Sequence, residues 1–191
     1  MRFIWTSAIL AVLATVALAQ DKAPPAPVEE CRRIALQVFQ DYRSQLLKEM
    51  QLSGPLRSLL VCKYVCPEIA STQSRKTGWR ISMASLKPRN SGSGTADVWE
   101  QRVLADFDRR TARGEKADAL EYAEIVSEPQ GSYFRYAKAI PAEPVCLTCH
   151  GPHETLPDAV KAQLALDYPF DKATGYSTGQ VIGIVSIKRP N

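Results

Sequence analysis

Cysteine is sparse in this chain, at five in 191 residues, and histidine sparser still, at two. So few cysteines exclude a disulfide-dominated miniprotein. Charge of one sign is not in large excess either. The 24 Lys and Arg stand against 20 Asp and Glu, and a formal net charge of +4 without a basic block is too weak to point to nucleic acid. With 10 Gly, 13 Pro and 45% hydrophobic residues, the chain is neither collagen-like nor wholly disordered. No internal repeat is visible, and beyond the first twenty residues no run approaches the roughly 18 apolar residues that span a bilayer. The length suffices for one hydrophobic core and would cramp two, so a single domain over residues 28–191 is expected.

What is present begins with an address. Arg2 gives a short positive start, Phe3 to Leu18 is mostly apolar, and Ala17-Leu18-Ala19 is the small-x-small pattern read by a signal peptidase. Residues 1–19 are therefore expected to be a signal peptide cleaved after Ala19, leaving a periplasmic protein without membrane attachment. A retained anchor is the alternative reading. Residues 20–27, with Pro24, Pro25 and Pro27, read as an extended leader.

From Val28 the pattern turns helical. Cys31, Ile34, Ala35, Val38, Phe39, Tyr42, Leu46 and Met50 fall on one stripe, and Ser53-Gly54-Pro55 breaks it. A second helix is expected from Pro55, carrying Leu56, Leu59, Leu60, Cys62, Tyr64 and Cys66 until Pro67 kinks or stops it. Trp79–Ser85 alternates like a strand, Lys87–Gly94 is a turn-rich loop, and Asp97–Arg113 is helical up to Gly114. Glu121–Val126 and Ser132–Ile140 pair as strands around Pro129-Gln130-Gly131, and Gly179–Lys188 is a further strand. The expected class is α+β: two N-terminal helices, then a small antiparallel sheet with helical insertions.

The chemistry lies in Cys146-Leu147-Thr148-Cys149-His150, a C-x-x-C-H string of the kind that attaches c-type haem. Cys146 and Cys149 would form thioethers to the vinyl groups of one covalent haem c, and the imidazole of His150 would reach the iron. A zinc site would want a second paired Cys/His element, but only Cys31, Cys62, Cys66 and His153 remain. A thioredoxin-like redox pair is disfavoured by the histidine that follows and by the export signal. For the other iron face, His153 is only three residues from His150 and too close along the chain to round the porphyrin edge. Met50 and Met83 fit apolar faces, where packing is their common role. Cys62 and Cys66 are four apart and share a helical face, so either sulfur suits, with burial as small hydrophobes the competing reading.

Leu60-Val61-Cys62-Lys63-Tyr64-Val65-Cys66-Pro67-Glu68-Ile69-Ala70, Ser85-Leu86-Lys87-Pro88-Arg89-Asn90, Trp99-Glu100, Phe134-Arg135-Tyr136, the CLTCHG run and Tyr168-Pro169 through Asp171-Lys172-Ala173-Thr174-Gly175-Tyr176 occur in order over most of residues 28–190. Together they resemble the Tll-type, c-haem-containing family first catalogued as a domain of unknown function. The resemblance implies a PAS-like antiparallel sheet flanked by helices, His150 as the proximal ligand and Cys62 as the distal ligand. Cys66 is the alternative, standing where the family more often has a small residue.

A thiolate ligand favours ferric iron and should depress the reduction potential relative to His/Met ligation. Release of the sulfur on reduction would open a position for NO or CO. Arg89, Lys87 and Arg135 are candidate partners for haem propionates, against the plainer reading of solvated surface side chains. Cys31 and whichever of Cys62 and Cys66 is not a ligand are left as thiols that an oxidising compartment would allow to pair. The expected function is an exported monohaem c-type cytochrome acting as a redox or gas-responsive sensor through a redox or signalling protein partner. A periplasmic electron-transfer protein is the alternative, and a haem enzyme ranks last.

Overall fold

The computed structural model describes residues 25–191. The expected signal peptide and residues 20–24 lie outside the described residues. Helix α1 (Pro25–Leu60) begins at Pro25, so the last three residues assigned to an extended leader are helical instead. Proline's fixed φ suits a first turn, where its missing N–H has no intrahelical partner to lose. Cys31, Ile34, Ala35, Val38 and Leu46 are buried along the expected stripe. The break at Ser53-Gly54-Pro55 is a kink at Gly54, whose φ of 75° and ψ of −176° glycine reaches without a Cβ clash.

The second helical run does not stop at Pro67. It widens into one π-helical turn, Val61–Val65, and continues as α2 (Cys66–Thr77). In a regular α-helix a proline removes an N–H and its ring collides with the carbonyl four residues back. Here Cys66 N–H bonds the carbonyl of Val61, five residues back, and Pro67 falls in the first turn of α2. Leu59 and Cys66 are buried, but Leu56, Leu60 and Tyr64 are exposed, because this segment is covered on one side only.

Strands β1 (Arg80–Ala84), β2 (Glu121–Glu128), β3 (Gly131–Pro141) and β4 (Val181–Pro190) form an antiparallel sheet in the order β1-β4-β3-β2. The period-two alternation gives it two apolar faces. Ile81, Phe134, Tyr136, Val185 and Ile187 pack against Cys31, Ile34 and Val38 of α1 and Ala70 of α2. Ala84, Ala137, Ala139 and Ile184 pack against Trp99, Val103, Leu104 and Phe107 of α3 (Val98–Ala112). Asp97 caps α3: its carboxylate accepts from Glu100 N–H, and the Glu100 carboxylate accepts from Asp97 N–H. Between β3 and β4 lie a short helix α4 (Leu147–His150) and α5 (Asp158–Asp167). Helix α5 has no counterpart among the elements expected from the sequence; its Val160 and Leu164 pack with Leu59, Leu156 and Tyr168.

The architecture is α+β and PAS-like, with helices on both faces of an antiparallel sheet. No helix among the described residues is long and apolar enough to cross a membrane. All five cysteines are free. Cys31 is fully buried between α1 and the sheet, in a cluster separate from that of Cys62 and Cys66, and the pairing that an oxidising compartment would allow is not formed.

Candidate functional site

A cleft of about 480 Å³ opens between the α1–α2 segment and a wall made of β1, the loop after it and the segment following β3. Tyr42, Cys62 and Cys66 line the first side; Met83, Arg89, Cys146 and His150 line the second. A volume of this order is typical of small-molecule and cofactor sites.

His150 is held by backbone on several sides. The pairing of β3 with β4 shifts register at Ile140/Pro141, and the chain leaves through a 3-10 turn (Pro144–Cys146) into α4. Gly151 ends α4, donating its N–H to Leu147 O at 2.9 Å. A Cβ at Gly151 would lie 2.6 Å from that same oxygen, so only glycine permits this exit after the histidine. Tyr176 N–H donates to His150 O at 3.0 Å, and the Tyr176 ring meets the imidazole edge-on at 6.4 Å. The imidazole Nδ1 lies 2.7 Å from Ala173 O, a contact that requires Nδ1 to carry the proton and leaves the lone pair on Nε2. Burial, reinforced by the Arg89 charge, pushes the imidazole down to about 3, so it is neutral at physiological pH.

Opposite, the π turn gives the two cysteines different surroundings, although the sequence reading placed them on one helical face. Tyr42 Oη lies 3.6 Å from Cys62 Sγ, whereas Cys66 Sγ donates to Val61 O at 3.1 Å. A carbonyl acceptor needs the proton to stay on Cys66, whereas a hydroxyl, which is able to donate, is compatible with the anion at Cys62. Cys62 is brought down to about 7 by the Cys66 thiol beside it, then by Tyr42 and the Arg89 charge, against burial. Cys66 is pushed well up by Cys62 and by burial. Burial also raises Cys146, and it takes Cys149 up to about 11, so the C-x-x-C sulfurs are protonated thiols. Cys146 faces the cleft, while Cys149 packs against Leu59 and its neighbours.

The three basic candidates have separate fates. Arg89 is at the site, but its guanidinium is committed. Nε donates to Asp171 Oδ2 at 2.9 Å, Nη2 bonds the carbonyls of Cys149 and Ala173, and Nη1 lies 3.4 Å from His150 Nε2. Lys87 lines the cleft with its ammonium on Thr174 O at 2.7 Å and over the Tyr176 ring. Arg135 is not a surface residue near the cleft, and the expectation that it contacts a propionate is corrected. It is buried on the α3 face, where it pairs with Asp97 at 2.7 Å and Glu100 at 3.5 Å and stacks on Trp99. An odd position in β3 points away from the face that carries Phe134 and Tyr136.

His153 is exposed and outside the cleft lining. Met50 packs against the cluster of Leu46, Val61 and Cys66, and Met83, although on the cleft wall, packs against the α1–sheet core. Tyr42 escaped the sequence reading as a site residue, because helical periodicity marks a face without saying what the phenol tip touches. Asp171 and Ala173 belong to a sequence motif whose fixed spacing carries no information that one accepts from Arg89 and the other from His150.

The donor set fits a c-type haem. Two protonated thiols sit at the attachment spacing, a neutral imidazole is fixed in the tautomer that exposes Nε2, and a sulfur biased toward thiolate stands across the cleft. Coordination at Nε2 requires only that Arg89 Nη1 yield its contact, since the other Arg89 donors have protein partners of their own.

The model of the Tll0287-like family, Tll0287, matches residues 22–190. Among solved structures, the fold is similar to the crystal structure of the cyanobacterial heme-protein Tll0287, with a TM-score of 0.66 and 22% sequence identity over 88% of this chain and 98% of that chain. A search of curated proteins found no match.

Proposed function

The chain belongs to the Tll0287-like family, and we propose that it is an exported monohaem c-type cytochrome whose iron His150 and Cys62 would hold, acting as a redox or gas-responsive sensor. The family's solved relative is described as a heme-protein, and the residues here are suited to hold that group. The observation that carries the reading is the pairing across one cleft of a neutral imidazole, whose Nε2 lone pair is met only by Arg89 Nη1, with a cysteine whose surroundings favour the thiolate. When bound, the haem would supply a one-electron iron centre.

The chain's own residues do the rest. Cys146 and Cys149 would fix the group to the wall that carries His150, and Ala173 O would keep the imidazole in its ligating tautomer. Cys62 would donate negative charge, which favours the ferric state and a low potential. Its position supports a sensing role. Cys62 sits on a π turn between the Gly54 kink and α2, and the next residue, Lys63, is tied to Asp167 of α5 at 2.6 Å. A change at the sulfur is thereby linked to a segment that a signalling or redox protein could read. Export to the periplasm follows from the pattern of residues 1–19.

The test is a redox titration followed by absorption and electron paramagnetic resonance on wild type, Cys62→Ala and Cys66→Ala. The reading expects the ferric thiolate signature to vanish in Cys62→Ala and survive in Cys66→Ala, and the ferrous wild type to respond to CO. A ferrous spectrum with both ligands retained and no response to CO would make the protein an electron carrier instead.

A further inference from the structure

The two cysteines of the π turn raise the question of what singles out one sulfur. Tyr42 lies on α1, twenty residues before Cys62, and lines the same cleft. Its hydroxyl is 3.6 Å from Cys62 Sγ, within hydrogen-bonding reach for sulfur, and has no other side-chain or backbone partner among the described residues. The phenol is not loosely placed. It packs against the cluster of Leu46, Val61 and Cys66, to which Met50, Cys62 and Val65 also contribute. One turn further along α1, Leu46 braces the π turn from the same side. A sulfur that binds a metal carries no proton, so in this pair the phenol must be the donor. Cys66 has the opposite polarity, since it gives its own proton to Val61 O.

We propose that Tyr42 is a positioning residue for Cys62: its O–H donates to the Cys62 sulfur, aims it into the cleft and draws off part of its charge, so the site's reduction potential lies above that of an unassisted thiolate. This rests on Cys62 being the distal ligand. Hydrogen bonds to a ligating sulfur are among the levers by which a protein sets a haem potential, because they weaken the donation that stabilises ferric iron.

The experiment uses the mature haem-loaded protein and compares wild type, Tyr42→Phe and a form with 3-fluorotyrosine installed at position 42 alone. Phenylalanine keeps the ring and removes the donor; the fluorinated phenol is a more acidic, stronger donor. Tyr42→Phe should lower the ferrous-to-ferric ratio at a fixed potential about tenfold, a shift of about 59 mV for one electron. The fluorinated form should shift it the other way, and the ferric resonance should change in both. A residue that only packs would not produce opposite shifts. If Tyr42→Phe fails to load haem, the fluorinated form decides alone.

Wild-type midpoint and ferric signal in every form that loads haem would overturn the role of Tyr42. Cys62→Ala in parallel separates the two levels. Loss of the thiolate signature there, with the Tyr42 forms unchanged, removes only the proposal, whereas persistence of that signature removes the Cys62 assignment and the proposal with it.

Discussion

The two faces of the sheet treat buried polarity in opposite ways. On the α3 face, Arg135 is paired with Asp97 and Glu100 and stacked on Trp99, whose indole N–H donates to Glu124 at 2.6 Å. Charges there are turned inward on one another, and Arg135 Nε is the one buried side-chain donor left without a partner among the described residues. On the α1–α2 face, Cys62 and His150 are fixed from behind, by Tyr42 and by Ala173 O, while the cleft lies before them. A polar group enclosed by partners holds the fold together. One that is braced on one side and open on the other is available for chemistry.

Substitutions on each face put this contrast to the test. The largest effect is expected from Cys146→Ser combined with Cys149→Ser, which should abolish covalent haem altogether, checked by pigment that leaves the protein on denaturation. Next comes Arg135→Ala. Removing one partner of a buried ion pair leaves the carboxylate of Glu100 uncompensated and should cost about 3–5 kcal/mol of stability, read from denaturant unfolding. The molecules that do fold should keep the haem spectrum of wild type, because this network lies on the far side of the sheet. A changed spectrum would show that the two faces are not independent.

How much of this was legible in the chain depended on the range of the interaction. The C-x-x-C-H string, the Gly54 break and the helical pattern of Asp97–Arg113 are local, and each appears where the sequence places it. The role of Arg135 was not legible: Phe134-Arg135-Tyr136 reads as a strand, but its partners at Asp97 and Glu100 are more than thirty residues away. Pro67 misled for a related reason. Its local rule holds for an α-helix, and the π turn that makes room for it has no sequence signature of its own. The same turn separates the surroundings of Cys62 and Cys66, a difference hidden by their shared helical spacing.

Two smaller effects sharpen the cleft side of the comparison, both in protein made without haem. His150 is held near 3 in the folded state against about 6.5 when unfolded. The unfolded chain then binds more protons between those values, so stability should fall as pH drops from about 6.5 toward 3. His150→Phe should flatten that part of the profile, and an unchanged slope would contradict the burial of a neutral imidazole. The smaller effect concerns the thiols. With Cys62 near 7 and Cys66 held well above the usual thiol range, an alkylating reagent near neutral pH should label Cys62 first, with mass mapping as the readout. Equal labelling, or Cys66 ahead, would erase the asymmetry assigned to the π turn.

On the function proposed above, this cleft would carry one haem joined to Cys146 and Cys149, with His150 as ligand. The most direct measurement is the denatured mass and absorption spectrum of the protein purified from a periplasm competent in haem attachment. A Soret band and a mass exceeding that of the processed chain by one haem are expected. A colourless protein with the mass of the bare processed chain would contradict it.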